Sequence, residues 1–273
     1  METTERDGAV DPVKGDEGVS DRHGSQSVNE PASVGLSVVI PVYNEEGNLE
    51  PLHQRLHAAL SSLELSYEIL FIDDGSGDRS PEVLGKLVSL DRHVRVITFA
   101  ENAGQTAAFD AGFRKARGDI IVTLDADLQN DPADIPRVID AMEEADAVCG
   151  WRIKRQDSIV KRLSSKIANA VRNALSDETV RDTGCSLKGF RREHLARLKL
   201  YNGLHRFLPT LLKMEGFTVA EIPVNHMPRF KGDSKYGIGN RVFKSFHDLL
   251  AIRWMKSRLL RYRIKSEEGG GDQ

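Results

Sequence analysis

The sequence predicts an α/β fold, a doubly wound, mostly parallel sheet flanked by helices. Three observations carry this prediction. Short, continuously apolar, β-rich runs recur between residues 36 and 149. Segments of helical period separate them. Several runs end in polar clusters, where a parallel sheet puts its site. The chain has 273 residues, 40% hydrophobic and 29% charged. That suits one large domain or two small ones and excludes a wholly disordered chain.

Residues 1–34 are rich in Gly, Ser, Asp and Glu and contain no aromatic residue. They are expected to form a disordered acidic tail, because they bury too little apolar surface to offset the entropy of ordering. An α/β body over 35–240 follows, then a basic amphipathic helix over 241–265 and a polar tail over 266–273.

Within the body, Leu36–Pro41, Tyr67–Ile72, Val94–Phe99, Ile120–Leu124 and Ala147–Cys149 read as strands. Their unbroken hydrophobicity suits strands covered on both faces. Leu49–Leu63 and Ser80–Leu90 have helical period. Ser80 is the expected N-cap of the second, with Pro81 at its first helical position.

The net charge of -3 hides an asymmetry. Residues 1–34 hold eight acids and three bases, whereas 241–265 hold eight Lys and Arg against Asp248 alone. The basic end points to an anionic surface. Cys149 and Cys185 are the only cysteines. With no CxxC and no disulfide framework, they indicate a reducing compartment and small core residues. No apolar run approaches the roughly 18 residues of a membrane span. The N-terminus does not read as a secretory signal. The expected location is cytoplasmic, peripheral at the inner face of a membrane.

Three strands run into polar residues suited to chemistry: Pro41-Val42-Tyr43-Asn44-Glu45, Asp73-Asp74-Gly75-Ser76 and Asp125-Ala126-Asp127-Leu128-Gln129. A single Asp at a strand end is commonly a cap or turn residue, but three acidic clusters on one sheet edge point to a site. Asp125 and Asp127 are two apart, so an extended chain turns both carboxylates to one side. Ala126 between them is small and admits a ligand to the backbone. With the amide of Gln129 they form a set of hard oxygen donors suited to Mg²⁺ or Mn²⁺. Such an ion would neutralise a diphosphate leaving group.

A dinucleotide site needs GxGxxG directly after the first strand. That strand runs instead into Pro41-Val42-Tyr43, and Ser80 stands where the third glycine of Gly75-Ser76-Gly77 would be. No GxxxxGK[ST] loop is present. Residues 228–237 combine three cations, two glycines and a hydroxyl, as a lid closing on phosphate would. A solvated basic loop is the plainer alternative.

Together these segments resemble the family 2 glycosyltransferases, and within them the polyprenyl-phosphate glycosyltransferases. VVIPVYNEE, IDDGSGD, NAGQTAAFDAGF, LDADLQNDP, GWR, DTGCSLKGFRR, NGLHRFLP and NHMPRFKGDSKYG carry the likeness, over about Leu36 to Ile264. The resemblance implies a GT-A-type fold binding a nucleoside diphosphate sugar. It implies that Pro41, Tyr43 and Glu45 hold the nucleoside, with Asp73 and Asp74 near base and ribose. Asp125, Asp127 and Gln129 would hold metal and diphosphate. Arg152 would reach the donor or the acceptor phosphate. Asp182 would be the acceptor-side carboxylate. Arg229, Ser234 and Lys235 would close over the diphosphate. The implied reaction is inverting transfer to a polyprenyl phosphate. A soluble saccharide hydroxyl acceptor and a non-catalytic nucleotide-sugar-binding protein are the alternatives.

Ser158–Leu175 and Arg241–Arg263 read as basic amphipathic helices suited to an anionic membrane surface. In the second, Phe243, Phe246, Leu250 and Trp254 recur at helical steps. Both stripes packing inward on the sheet is the alternative. Many relatives continue into two transmembrane helices, and the present sequence stops in polar residues. Membrane contact is therefore expected to be peripheral or through a separate membrane partner. Nucleic acid is not an expected partner, because the body is near neutral and offers no aromatic platform.

Overall fold

The computed structural model describes residues 34–153, 180–228, 238–260 and 262–266, and of residues 238–246 it describes the backbone alone. The expected helix over 158–175 lies outside the described residues, as do Arg229, Ser234 and Lys235.

The five expected strands are all present: β1 (Leu36–Val42), β2 (Tyr67–Asp73), β3 (Val94–Thr98), β4 (Ile120–Thr123) and β5 (Ala147–Arg152). Two more join them, β6 (Lys188–Arg191) and β7 (Val219–Val224). The sheet order is β3-β2-β1-β4-β6-β5-β7. β1 pairs in parallel with β2 and β4, β2 with β3, and β5 with β7. Only β6 runs antiparallel, against β4 and β5. β6 and β7 lack the apolar signature of the others. β6 reads Lys-Gly-Phe-Arg, and β7 carries Glu221 and Pro223 at a sheet edge, where proline is tolerated.

The helices are α1 (Leu49–Leu60), α2 (Ser80–Leu90), α3 (Gln105–Lys115), α4 (Ile135–Ala141), α5 (Arg192–Leu195), α6 (Leu208–Met214) and α7 (Ile238–Ser257). α1 ends at Leu60, short of Leu63. There the hydroxyls of Ser61 and Ser62 donate to the carbonyls of Ala58 and Ala59 and compete with the helical pattern. Ser80 is not the N-cap of α2. The helix begins at Ser80 itself, whose Oγ accepts from Glu45 N–H at 2.9 Å, while Asp78 Oδ1 takes the Ser80 N–H at 2.9 Å. α7 begins three residues before the expected boundary at 241 and ends at Ser257, where the Ser257 hydroxyl donates to Trp254 O at 2.7 Å.

Alternation along β1 sorts the core. Val38 and Ile40 join the cluster containing Leu52, Leu56 and Leu84 from α1 and α2. Val39 turns to the opposite face with Ala108 and Phe109 of α3. Each such side chain contributes about 1.5–3 kcal/mol on burial. A third cluster packs Leu249 and Ile252 of α7 on Leu204, Phe207 and Leu211.

The sheet order reverses between β1 and β4, so a crevice opens at their carboxyl ends. β5 runs in the same sense, which brings Arg152 to that edge. β6 runs the other way, so the segment entering it, 182–187, crosses the same edge.

Candidate active site

The β4 exit alternates as the sequence suggests. Asp125, Asp127 and Gln129 are partly exposed, while Ala126, Leu128 and Asn130 are buried. Leu128 adopts φ 61°, the left-handed region a branched side chain seldom occupies. This turn lets Gln129 N–H donate to Asp127 Oδ1 at 3.1 Å. Asp125 is tied from two directions. Gln105 Nε2 donates to its Oδ1 at 2.8 Å, and its N–H donates to Ser186 Oγ at 3.2 Å. Burial, and next the charge of Asp127, push its carboxyl up to about 6, against the pull of Ser186, Lys188 and Arg152.

A carboxylate whose proton affinity is raised by burial and by a neighbouring carboxylate fits a cation, which would relieve the repulsion. Among the described residues no group of three or more His, Cys, Asp or Glu could hold a metal. An ion here would therefore complete its shell with Gln129, water and ligand oxygens, as Mg²⁺ commonly does.

The other acidic pair divides its work. Asp73 is fully buried; its Oδ1 accepts from Ser76 N–H at 3.1 Å and its Oδ2 has no hydrogen-bond partner among the described residues. Asp74 is occupied. Its Oδ1 accepts from Ala103 N–H at 2.7 Å, and its Oδ2 from Asn102 Nδ2 at 2.9 Å and Gly104 N–H at 3.0 Å. Its carboxylate thus clamps the turn before α3. Gly75, at φ 67°, lies so near that turn that a Cβ would come within 2.6 Å of Glu101 C.

The β1 exit is laced to the same region. Asn44 Oδ1 accepts from Gly77 N–H at 2.7 Å, and Asn44 N–H donates to Ser76 Oγ at 2.9 Å. Asn48 Nδ2 donates to Glu45 Oε2 at 2.6 Å. Pro41 is the penultimate residue of β1, and Tyr43 just beyond the strand is 38% exposed.

Arg152 and Asp182, each expected to meet substrate, meet each other. Arg152 Nε lies 2.7 Å from Asp182 Oδ2 and Nη2 lies 2.9 Å from Oδ1. Their side chains are only 15% and 11% exposed. Gly184 leaves room for this fork, since a Cβ there would come within 3.2 Å of Arg152 Nη2.

His205, in NGLHRFLP, is bonded through Nδ1 to Thr106 Oγ1 at 2.7 Å, and Thr106 Oγ1 also accepts from Gly203 N–H at 2.9 Å. Gln105, Thr106, Ser186 and Lys188 were not legible as site residues, because none lies at the end of an apolar run. Trp151 carries the Arg181 guanidinium over its ring at 5.3 Å. Cys149 and Cys185 are buried, as core residues should be, and burial pushes the Cys149 thiol up to about 12.

Residues 37–199 match the family model described as glycosyl transferase family 2. The chain is 35% identical over 272 residues to dodecaprenyl-phosphate galacturonate synthase of Rhizobium johnstonii, covering 97% of this chain and 74% of that protein. It is 41% identical over 217 residues to undecaprenyl-phosphate 4-deoxy-4-formamido-L-arabinose transferase of Salmonella paratyphi A, covering 79% of this chain and 66% of that protein. The matches thus span 66% to 74% of these relatives' length. Glucosyl-3-phosphoglycerate synthase from Mycobacterium tuberculosis, solved with Mn²⁺, uridine diphosphate and phosphoglyceric acid, superposes with a TM-score of 0.63 at 18% identity, covering 84% of this chain and 81% of that one. The same enzyme solved with Mg²⁺ and uridine diphosphate gives a TM-score of 0.61 at 18% identity, covering 84% and 82%. At that identity the likeness speaks for the fold, which is GT-A-like. A family model matching more than half the chain, and a relative above 30% identity over nearly all of it, place this chain in glycosyl transferase family 2, as a glycosyltransferase.

Proposed function

We propose that this chain transfers a sugar from a nucleoside diphosphate sugar to a polyprenyl phosphate, by single displacement with inversion. The observation that carries the proposal is the meeting, at one sheet edge, of Asp125 and Asp127 with the Arg152–Asp182 pair. Polyprenyl-phosphate acceptors also stand in the names of the relatives.

In this reading Pro41, Tyr43 and Glu45 line the nucleoside. The unpartnered Oδ2 of Asp73 accepts a hydrogen bond from an N–H of the base. Asp74 acts indirectly, by fixing the turn beside it. Asp125, Asp127 and Gln129 hold a Mg²⁺ or Mn²⁺ ion, which supplies charge neutralisation of the diphosphate. Arg229, Ser234 and Lys235 add cationic and hydroxyl groups to the diphosphate. The acceptor phosphate oxygen attacks the anomeric carbon, and the bond from that carbon to the diphosphate oxygen breaks, its electron pair leaving on the oxygen of the nucleoside diphosphate.

A phosphate acceptor is already an anion at neutral pH, so no proton has to be removed. Asp182, with both oxygens on Arg152, is a poor base and a good positioning group. Arg152 can exchange one carboxylate contact for a phosphate oxygen, since its fork suits both. Alignment and electrostatics then supply the catalysis.

Access to a lipid is supported by the far end of the chain. Trp254 is 63% exposed, and Leu260, Tyr262 and Ile264 are 84%, 80% and 74% exposed, among Arg258, Arg263 and Lys265. Leu250 on α7 is also exposed, so this part of the expected stripe does not pack inward. Among the described residues no helix is long and apolar enough to cross a membrane. We infer peripheral contact with the cytoplasmic face, directly or through a separate membrane partner.

The test is a donor screen with a short-chain polyprenyl phosphate and Mg²⁺ or Mn²⁺, read by mass spectrometry of the lipid product. Transfer only to a soluble hydroxyl would replace the lipid acceptor. Failure of every donor to release nucleoside diphosphate would leave a binding protein. Vesicle sedimentation with anionic lipids at low and high salt tests the membrane contact.

A further inference from the structure

Two guanidiniums meet the end of β5, and the reaction described above uses one of them. Trp151 and Arg152 are consecutive in β5, so their side chains leave the strand on opposite faces. The segment that meets them repeats the pattern with Arg181 and Asp182. Arg152 takes Asp182. Trp151 takes Arg181, whose guanidinium carbon stands 5.3 Å from the centre of its ring. Arg181 N–H donates to Glu221 Oε1 at 2.7 Å, which ties its backbone to β7. Asp182 is buried, whereas Arg181 is exposed. A flexible cation is thus fixed at its backbone and seated on a ring while it still faces solvent.

The location suggests what that cation does. Trp151 lies on the sheet face of Ala147, four residues earlier, which packs with Ala108 and Phe109 of α3. Asp125 turns to the same side, since Gln105 of α3 donates to it. Only β6 separates β4 from β5, so the two strand ends stand two strand spacings apart, roughly 10 Å. With the donor diphosphate at the β4 end, the β5 end is placed to meet a group on the far side of the sugar. A phosphate monoester carries between one and two negative charges at neutral pH. Arg152 already has its charge matched by both oxygens of Asp182. A second guanidinium supplies what that pair lacks, and its planar fork suits phosphate. Stacking on an indole orients a guanidinium without neutralising it, which lowers the entropy lost on binding an anion.

We infer that Arg181, seated on Trp151, is a specificity-determining residue that contacts the acceptor phosphate and makes the site prefer a phosphorylated lipid to its alcohol. The inference deepens the acceptor reading given under Proposed function and rests on it.

The test uses the full chain with a short-chain polyprenyl phosphate and, as control, the matching polyprenyl alcohol. Trp151 and Trp254 are the only tryptophans, so in a Trp254→Phe background the emission comes from Trp151 alone. Arg181→Gln removes the charge and keeps a polar side chain. Arg181→Lys keeps the charge and loses the planar fork. Trp151→Leu, read by lipid product instead of emission, removes the seat. Acceptor Kd, acceptor KM against kcat with the donor that the screen identifies, and Tm are measured for each.

Polyprenyl phosphate is expected to change the Trp151 emission saturably, and the alcohol to leave it unaltered. Arg181→Gln should raise the acceptor Kd and KM roughly five- to twentyfold, more than it lowers kcat, because it removes a charge-assisted contact at a solvated position. Arg181→Lys should recover part of that loss. Trp151→Leu should raise the acceptor KM about two- to fivefold, the effect of an orienting stack. Both Arg181 variants should keep Tm within about 2 °C, as exposed substitutions do. An arginine that only caps Trp151 would shift Tm and leave the acceptor Kd of Arg181→Gln unaltered. That result overturns the inference, and so does an equal response to phosphate and alcohol. A wild-type chain that uses a soluble hydroxyl and no polyprenyl phosphate overturns the acceptor reading and this inference with it. Transfer to polyprenyl phosphate with the same acceptor KM in wild type and Arg181→Gln overturns only the role of Arg181.

Discussion

Replacing Asp182 with Asn changes one atom and keeps the shape of the side chain, so its consequences follow from the fork alone. In the native pair, Arg152 Nε and Nη2 donate at 2.7 and 2.9 Å to separate oxygens of Asp182. An Asn offers one oxygen and one N–H₂, so one arm of the guanidinium would face a donor. The loss includes one charge-assisted hydrogen bond, about 1.5–3 kcal/mol. It also removes the carboxylate paired with that guanidinium, at side-chain exposures of 15% and 11% for Arg152 and Asp182. A fully buried unpaired charge costs about 3–5 kcal/mol. Residual solvent at this pair brings the expectation to about 2–3 kcal/mol. For a domain of this size each kcal/mol lowers Tm by roughly 2–4 °C, so Asp182→Asn should unfold about 5–10 °C below wild type. The assay is calorimetry on wild type, Asp182→Asn, Arg152→Met and the double variant. The double variant is expected to be no worse than either single, giving a coupling above about 1.5 kcal/mol. A Tm within about 1 °C of wild type, or additive losses, would refute the fork as a strong pair. The same variant tests the chemistry. If Asp182 positions Arg152 and removes no proton, turnover on a phosphate acceptor falls but its pH profile keeps its shape. Loss of the acidic limb alone would reinstate Asp182 as a general base, and near-normal turnover would exclude that role.

Three further outcomes follow from the geometry. Asp125 has its carboxyl pushed up to about 6 by burial and then by Asp127, so its protonated form favours the folded state. That stability is complete below about pH 4 and is lost as pH rises through about 6, while Mn²⁺ should bind fully above pH 6 and weaken about tenfold per unit below it; calorimetry across pH 5–8 checks this, and a flat profile counts against it. Asp91 is raised by burial, but the His93 N–H and the His53 and His93 rings outweigh that and hold it down at about 2. Its contribution, roughly 1–2 kcal/mol, is present above about pH 4 and lost as pH falls towards 2, so the gap between wild type and Asp91→Asn in urea midpoint should close over that range. Thr106→Val removes the hydroxyl joining His205 and Gly203 but keeps the volume. It should lower Tm by about 2–4 °C and leave Mn²⁺ binding within about twofold, measured by calorimetry and as Mn²⁺ Kd.

Much of the site was legible in the sequence because a parallel sheet gathers strand ends. Asp73, Asp125 and Asp127 each follow an apolar run, and the reversal of strand order between β1 and β4, with the strands parallel, makes those ends neighbours. The alternation expected at 125, 127 and 129 is present in burial, but a turn with Leu128 at φ 61° produces it rather than an extended strand. The family likeness added Arg152 and Asp182 but not their relation to one another. That relation needs β5 and the start of β6 to meet at one edge, which in turn needs β6 to run antiparallel. Nothing in Lys-Gly-Phe-Arg announces a strand, still less its direction. Asp74 was expected to face ribose, and its carboxylate is taken up by amides about thirty residues away.

The apolar runs and the polar residues that close them settled the architecture and the sheet edge that carries the candidate site. Those depend on local period and on burial, which a chain carries in its own order. Which carboxylate stays open, which is spent on a turn, and which arginine is matched by a carboxylate were decided only by folding. Each depends on donors brought from distant segments, and a buried polar group takes whichever partner the packed backbone sets within reach.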